Sequence, residues 1–239
     1  MRTLPWLLLL TACAASTGGE RVDLDVTVAG AGPVDAVPIG EGSLTLTRAE
    51  LAVGPVYLWS QLPLSADAHA AGKLVGEAPD QVVVDVLTTE PLALEHGVGV
   101  AGTVAAAEIW LEPLEGSDTL LVEGTAERAG EELPFRAAIT WSEPWMAGSD
   151  ANVALLRRRL LGLPLDGELA EDTHVALTLD ASAWFTAIGL DGLPDLEPDG
   201  DGVRTLTPES LTGRDLDQGV RRLQGGGWEA GLEGTPQGE

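Results

Sequence analysis

Arg21-Val22-Asp23-Leu24-Asp25-Val26-Thr27-Val28 carries an apolar side chain at every second position, with Asp23, Asp25 and Thr27 between. Successive side chains of an extended chain point to opposite faces, so this stretch has one dry face and one wet face and reads as a half-buried strand. The same grammar recurs downstream. Gly30 to Gly42 is a Gly/Pro-rich connection, after which Leu44 and Leu46 resume the alternation. Glu50 to Leu58 is apolar but broken by Gly54-Pro55, which predicts two strands, or one strand bent at a sheet edge. Residues 60 to 80 read mainly as loop. Val82 to Leu87 is almost continuously apolar and reads as a central strand, Pro91 to Leu94 as a short strand, and Val104 to Leu111 as an alternating one. Thr119 to Arg128 and Leu133 to Trp141 flank Gly130 and form a hairpin, with Phe135, Ala137, Ile139 and Trp141 on one face and Arg136, Ala138 and Thr140 on the other.

Short strands with turn signals and no helices of crossover length define a mainly β chain, an antiparallel sandwich or barrel. The C-terminal third differs. Val153, Leu156, Leu160 and Leu163 are spaced by three and four, which predicts a short amphipathic helix over residues 152 to 163. Strand periodicity returns from His174 to Asp180. Thr207-Pro208 has the form of an N-cap followed by proline at the first helical position, leading into a helix through Leu211, Leu216, Val220 and Leu223. Residues 225 to 239 are acidic and Gly-rich and read as a flexible tail. Residues 21 to 224 are therefore expected to form one β-sandwich body with a helical appendage.

Upstream of the body, Met1-Arg2-Thr3 supplies a positive charge. Leu4 to Leu10 forms an apolar run, and small residues surround Cys13. Charge, apolar run and small residues in that order make an export signal, and the run is far shorter than the roughly 20 residues of a spanning helix. Leu10-Thr11-Ala12-Cys13 resembles the lipobox of bacterial lipoproteins. That resemblance implies removal of residues 1 to 12, lipid on Cys13, a tether over residues 13 to 20 and, from Ala14 at the following position, an outer-membrane address facing the periplasm or the cell surface. Cys13 is the only cysteine, so the chain has no disulfide and no thiolate metal cluster.

A net charge of -25 and a pI near 4.2 exclude a nucleic-acid partner, because no basic surface is present to displace counterions. The same acidity excludes charge-driven docking on anionic lipid. It is compatible with a salty medium, a cationic partner or divalent ions. Seven tryptophans stand out against 4% aromatic residues in all, and they read as core edge and sheet rim.

Three histidines, His69, His96 and His174, each have carboxylates nearby in sequence. Imidazole with carboxylate suits copper or zinc, the acid acting as ligand or as orienter of the ring. No His-x-His or His-x-x-x-His pair occurs, so the fold alone must bring ligands together. Asp195, Glu197, Asp199 and Asp201 alternate and are followed by Gly202, as oxygen ligands of a calcium loop do. The twelfth position counted from Asp195 is Leu206, where an EF-hand requires glutamate. Ser65, Asp67 and His69 lie too close in sequence to be assumed a triad, and no nucleophile elbow, phosphate loop or His-Glu-x-x-His motif occurs.

The lipobox, Leu44-Thr-Leu-Thr-Arg-Ala-Glu-Leu-Ala-Val-Gly-Pro-Val-Tyr-Leu58 and Val175-Ala-Leu-Thr-Leu-Asp-Ala-Ser-Ala-Trp-Phe185 together resemble the periplasmic copper-binding lipoproteins encoded beside methanobactin genes. The resemblance spans about residues 22 to 224. It implies an immunoglobulin-like sandwich that holds copper through histidine and an oxidised tryptophan, for which this chain offers His69, His96 and several tryptophans. Unlike many members, the chain has no cysteine pair.

The expectation is a non-enzymatic, lipid-anchored envelope protein that binds copper or another divalent metal, or an envelope protein partner. Two alternatives stand beside it. One is a structural or adhesive surface lipoprotein without metal. The other is an extracytoplasmic hydrolase, in which two carboxylates would face each other across an acidic cleft.

Overall fold

The computed structural model describes residues 19–62, 72–140, 158–186, 191–207, 210–223 and 226–234. The half-buried octapeptide lies within β1 (Arg21–Gly30), where Val22, Leu24, Val26 and Val28 are buried and Asp23 and Asp25 are exposed. In chain order there follow β2 (Val37–Ile39), β3 (Gly42–Val53), β4 (Val56–Trp59), β5 (Leu74–Ala78), β6 (Val82–Asp85), β7 (Leu92–Val100) and β8 (Gly102–Trp110). Next come β9 (Leu120–Arg128), β10 (Glu131–Ile139), β11 (Arg159–Leu169) and β12 (Thr173–Leu179). The chain ends with α1 (Ala181–Thr186), β13 (Arg204–Leu206), α2 (Leu211–Val220) and β14 (Trp228–Gly234).

The strands form two sheets. The larger has eight strands in the order β11-β8-β4-β5-β7-β1-β12-β14; the smaller runs β13-β10-β9-β3-β2, with β6 also paired to β3. A single cluster of buried side chains draws on both sheets, from Val26 and Ile109 of the larger to Leu51 and Phe135 of the smaller. Edge strands β11 and β14 of the larger sheet come close enough that a Cβ on Gly167 would meet Leu232 at 2.5 Å, so that sheet is nearly a closed barrel. Near-closure hides the unpaired backbone groups that an open edge would expose.

The expected hairpin of β9 and β10 turns through Ala129 and Gly130, both at positive φ, which is the two-residue turn that matches strand twist. Gly54-Pro55 divides two strands, and the break carries the chain from β3 in the smaller sheet to β4 in the larger. α1 starts where Asp180 Oδ1 accepts from the Ser182 N–H at 2.8 Å, and it turns Phe185 onto Phe135 with ring centroids 5.6 Å apart. Trp184 is fully buried, and α2 approaches it so closely that a Cβ on Gly219 would lie 2.4 Å from the Trp184 carbonyl oxygen.

Several expectations are corrected. The sheets are not purely antiparallel, because β1 pairs with β12 and β10 with β13 in parallel after long returns of the chain. The helix expected over residues 152 to 163 is strand from Arg159 onward; the rest of that stretch lies outside the described residues. Register shifts in β11 space its inward residues Leu160, Leu163 and Leu165 unevenly, and the three-residue step imitates a helix. Val82 to Leu87 is not a central strand, since β6 covers only Val82–Asp85 and pairs with β3 alone. Conversely, β7 is longer than expected, and β5 occupies part of the expected loop. The cap of α2 is Ser210, whose hydroxyl accepts from the Gly213 N–H at 3.0 Å, not Thr207.

Residues 228–234, expected as flexible tail, pair along the whole of β12 as β14. Trp228 fixes this strand: it is buried, and its Nε1–H donates to the Val220 carbonyl at 2.7 Å. Replacing a buried tryptophan by alanine costs about 3–5 kcal/mol. Trp228→Ala is expected to lose that much stability in urea unfolding, whereas a tail without structural role would leave the midpoint unchanged.

Candidate metal centre on the wet face of the larger sheet

β7 pairs antiparallel with β1, and the register slips once: Leu24 faces Gly97 while Val26 faces Leu94. Asp25 therefore stands opposite two residues, Glu95 and His96, which is a β-bulge. His96 sits at φ 60°, a left-handed conformation uncommon for a residue with a Cβ. Gly97 follows because the chains are tight here, and a Cβ on it would lie 2.4 Å from the Leu24 carbonyl oxygen. The bulge puts both side chains in solvent and sends the His96 ring toward the connection between β5 and β6. There its Nδ1 lies 2.8 Å from Asp80 Oδ2. His96 is 74% exposed and Asp80 39%.

One ligand atom each from Asp80, Glu95 and His96 can be chosen so that all lie within 4.8 Å of one another. The hydrogen bond and charge of Asp80 raise the His96 pKa above its ordinary 6.5, with a smaller push from Glu95. With Nδ1–H donated to the carboxylate, the neutral ring keeps its lone pair at Nε2.

The bulge borders a cleft of about 850 Å³ on the wet face of β7, β1 and β12, whose lining includes Asp23, Asp25, Glu95, His96, Asp172 and His174. No family model, curated protein or solved structure matches the chain. The donor set itself must then say what the site can do. One imidazole nitrogen and two carboxylate oxygens form a cluster able to coordinate a metal ion, and its open side leaves room for water to complete the coordination shell.

The histidines separate. His96 joins the cluster. His174 lies on β12 in register with Asp25, and both of its ring nitrogens have neighbours: Nε2 is 2.8 Å from the Thr27 hydroxyl and Nδ1 is 3.3 Å from Glu233. It lines the same cleft but belongs to no ligand group of three among the described residues. His69 and Cys13 lie outside the described residues, as do Ser65 and Asp67.

Asp195, Glu197 and Asp201 are exposed in the loop before β13, and the described residues offer no ligand cluster there. Asp199 is used by the loop itself. Its Oδ1 accepts from the N–H groups of Val203 and Asp201, both at 3.0 Å, and Oδ2 accepts from Arg136 at 3.1 Å. Those backbone donors, aided by Arg136, hold its carboxyl below the ordinary 3.8. Its stabilising effect is present above the ordinary carboxylate value and is lost as pH falls through the lowered one.

Asp80 has no signal of its own in the sequence. It lies fifteen positions before Glu95, in the short connection after Pro79 that carries no motif, and the pairing of β5 with β7 brings it to His96. For His96 the sign is the reverse of that for Asp199. A raised folded pKa means that the His96–Asp80 pair stabilises fully below pH 6.5 and ceases to do so as pH rises through the raised value. An NMR titration of metal-free protein is expected to place the His96 midpoint above 6.5 and to find it lowered in Asp80→Asn. An unchanged midpoint in that variant would break the assignment.

Proposed function

We propose that this chain is an exported, lipid-anchored protein that holds a divalent transition-metal ion at Asp80, Glu95 and His96, and that it acts by binding rather than by catalysis. The observation that carries the metal part is the convergence of the three ligand atoms within 4.8 Å, with Asp80 already bonded to the imidazole. An N/O donor set with one imidazole suits copper(II) or zinc(II) better than calcium, which prefers six to eight oxygens. Asp80 serves either as ligand or, through Nδ1–H, as the group that fixes the ring for coordination. Anchoring at Cys13 and an envelope location rest on the lipobox resemblance, and an envelope partner remains part of the same reading. The finer immunoglobulin-like assignment has the shared core of two sheets in its favour and the nearly closed eight-stranded sheet against it.

The acidic cleft favours one second reading, a hydrolase working with a pair of carboxylates on an extracellular polymer. Metal chemistry separates the two readings. Calorimetric titration with zinc or copper(II) chloride is expected to find one site, weakened roughly 10- to 100-fold in Asp80→Asn and at least as much in His96→Ala. His174→Ala should bind as the parent does. Absence of binding, or binding indifferent to His96, would remove the metal reading.

A further inference from the structure

β1 begins at one pole of the larger sheet, and the chain leading into it lies directly on β7. A Cβ on Gly19 would meet Val100 Cγ1 at 2.0 Å, and the Glu20 carbonyl accepts from the Ala101 N–H at 2.7 Å. Around this point is an apolar groove of about 300 Å³ lined by Leu74, Val75, Val98 and Val100, with Arg21 and Glu77 at its margin. Leu74 is 45% and Val100 39% exposed, two of the four large apolar side chains most exposed among the described residues. In a chain with a net charge of -25, the lining of this groove holds one acid and one base, with Asp23 opposite Val98 just beyond it.

We infer that this pole is the face the protein lays against the lipid bilayer. The inference rests on the lipid-anchored reading above. Cys13 precedes Gly19 by six residues, which span at most about 20 Å when fully extended. A lipid on Cys13 therefore keeps the Gly19 end of β1 close to the membrane, and among the described residues the exposed apolar side chains beside it are those of the groove. The anchor provides attachment. The groove provides orientation, since an apolar surface this small binds a membrane only when tethered to it.

The test uses the full lipidated chain purified from cells. Cys13 is the only native cysteine and its thiol carries the lipid, so Leu74→Cys and Glu90→Cys each offer a single thiol for a polarity-sensitive dye. Glu90 is exposed beyond the far end of β7, roughly 30 Å from Val100 along the strand. In phosphatidylcholine vesicles with brominated acyl chains, the dye at position 74 is expected to shift to the blue and be quenched, while that at position 90 stays in water. Equal, aqueous behaviour at both positions on a chain shown by mass spectrometry to be acylated would overturn this inference alone. A cell-made chain without lipid on Cys13 would overturn the anchoring reading and this one with it.

Discussion

The wet face of the larger sheet depends on β1 being held between β7 on one side and β12 on the other. Its dry face contributes Val22, Leu24, Val26 and Val28 to the core, so its register cannot slip by one residue without turning that row into water. β7 has to match that register while absorbing an extra residue, and it does so at Glu95 and His96, opposite Asp25. The bulge is thus fixed by core packing and delivers two polar side chains to one place. On the other side of β1, the pairing of Asp25 with His174 and of His174 with Glu233 extends this polar row across β12 and β14.

Much of this was legible in the chain. Alternation at Val22 to Val28 marked β1, the hairpin around Gly130 followed from turn chemistry, and His174 to Asp180 read correctly as a strand. Glu95 and His96 were visible as neighbours, but adjacent residues on a regular strand point to opposite faces, and nothing in the sequence announced a bulge. Asp80 was invisible because a residue between strands has no periodicity and its partner depends on which strands pair. Failures elsewhere have a similar origin. Register shifts gave β11 a helical spacing, and a Gly-rich C-terminal segment looked unstructured although β12 was waiting for a partner. Local pattern reports a face; it does not report the neighbour across it.

The two candidate metal sites offered by the sequence are physically different. Around Asp199, backbone N–H groups and Arg136 use the carboxylate oxygens to close a loop, and the neighbouring acids point to solvent. Around His96, the ring is bonded to one carboxylate, and a second carboxylate is within ligand range. Negative charge gathered around one imidazole favours a cation there, first a proton and, when the proton leaves, a metal ion. The exposure of the cluster makes it open to exchange with solution rather than a sealed structural site.

Whether an ion occupies that place is most directly read from anomalous diffraction at the zinc edge, on crystals of the metal-loaded protein. A peak bounded by the side chains of Asp80, Glu95 and His96 is expected. A peak in the loop of Asp195 to Asp201, or none anywhere on the wet face of β7, would contradict it.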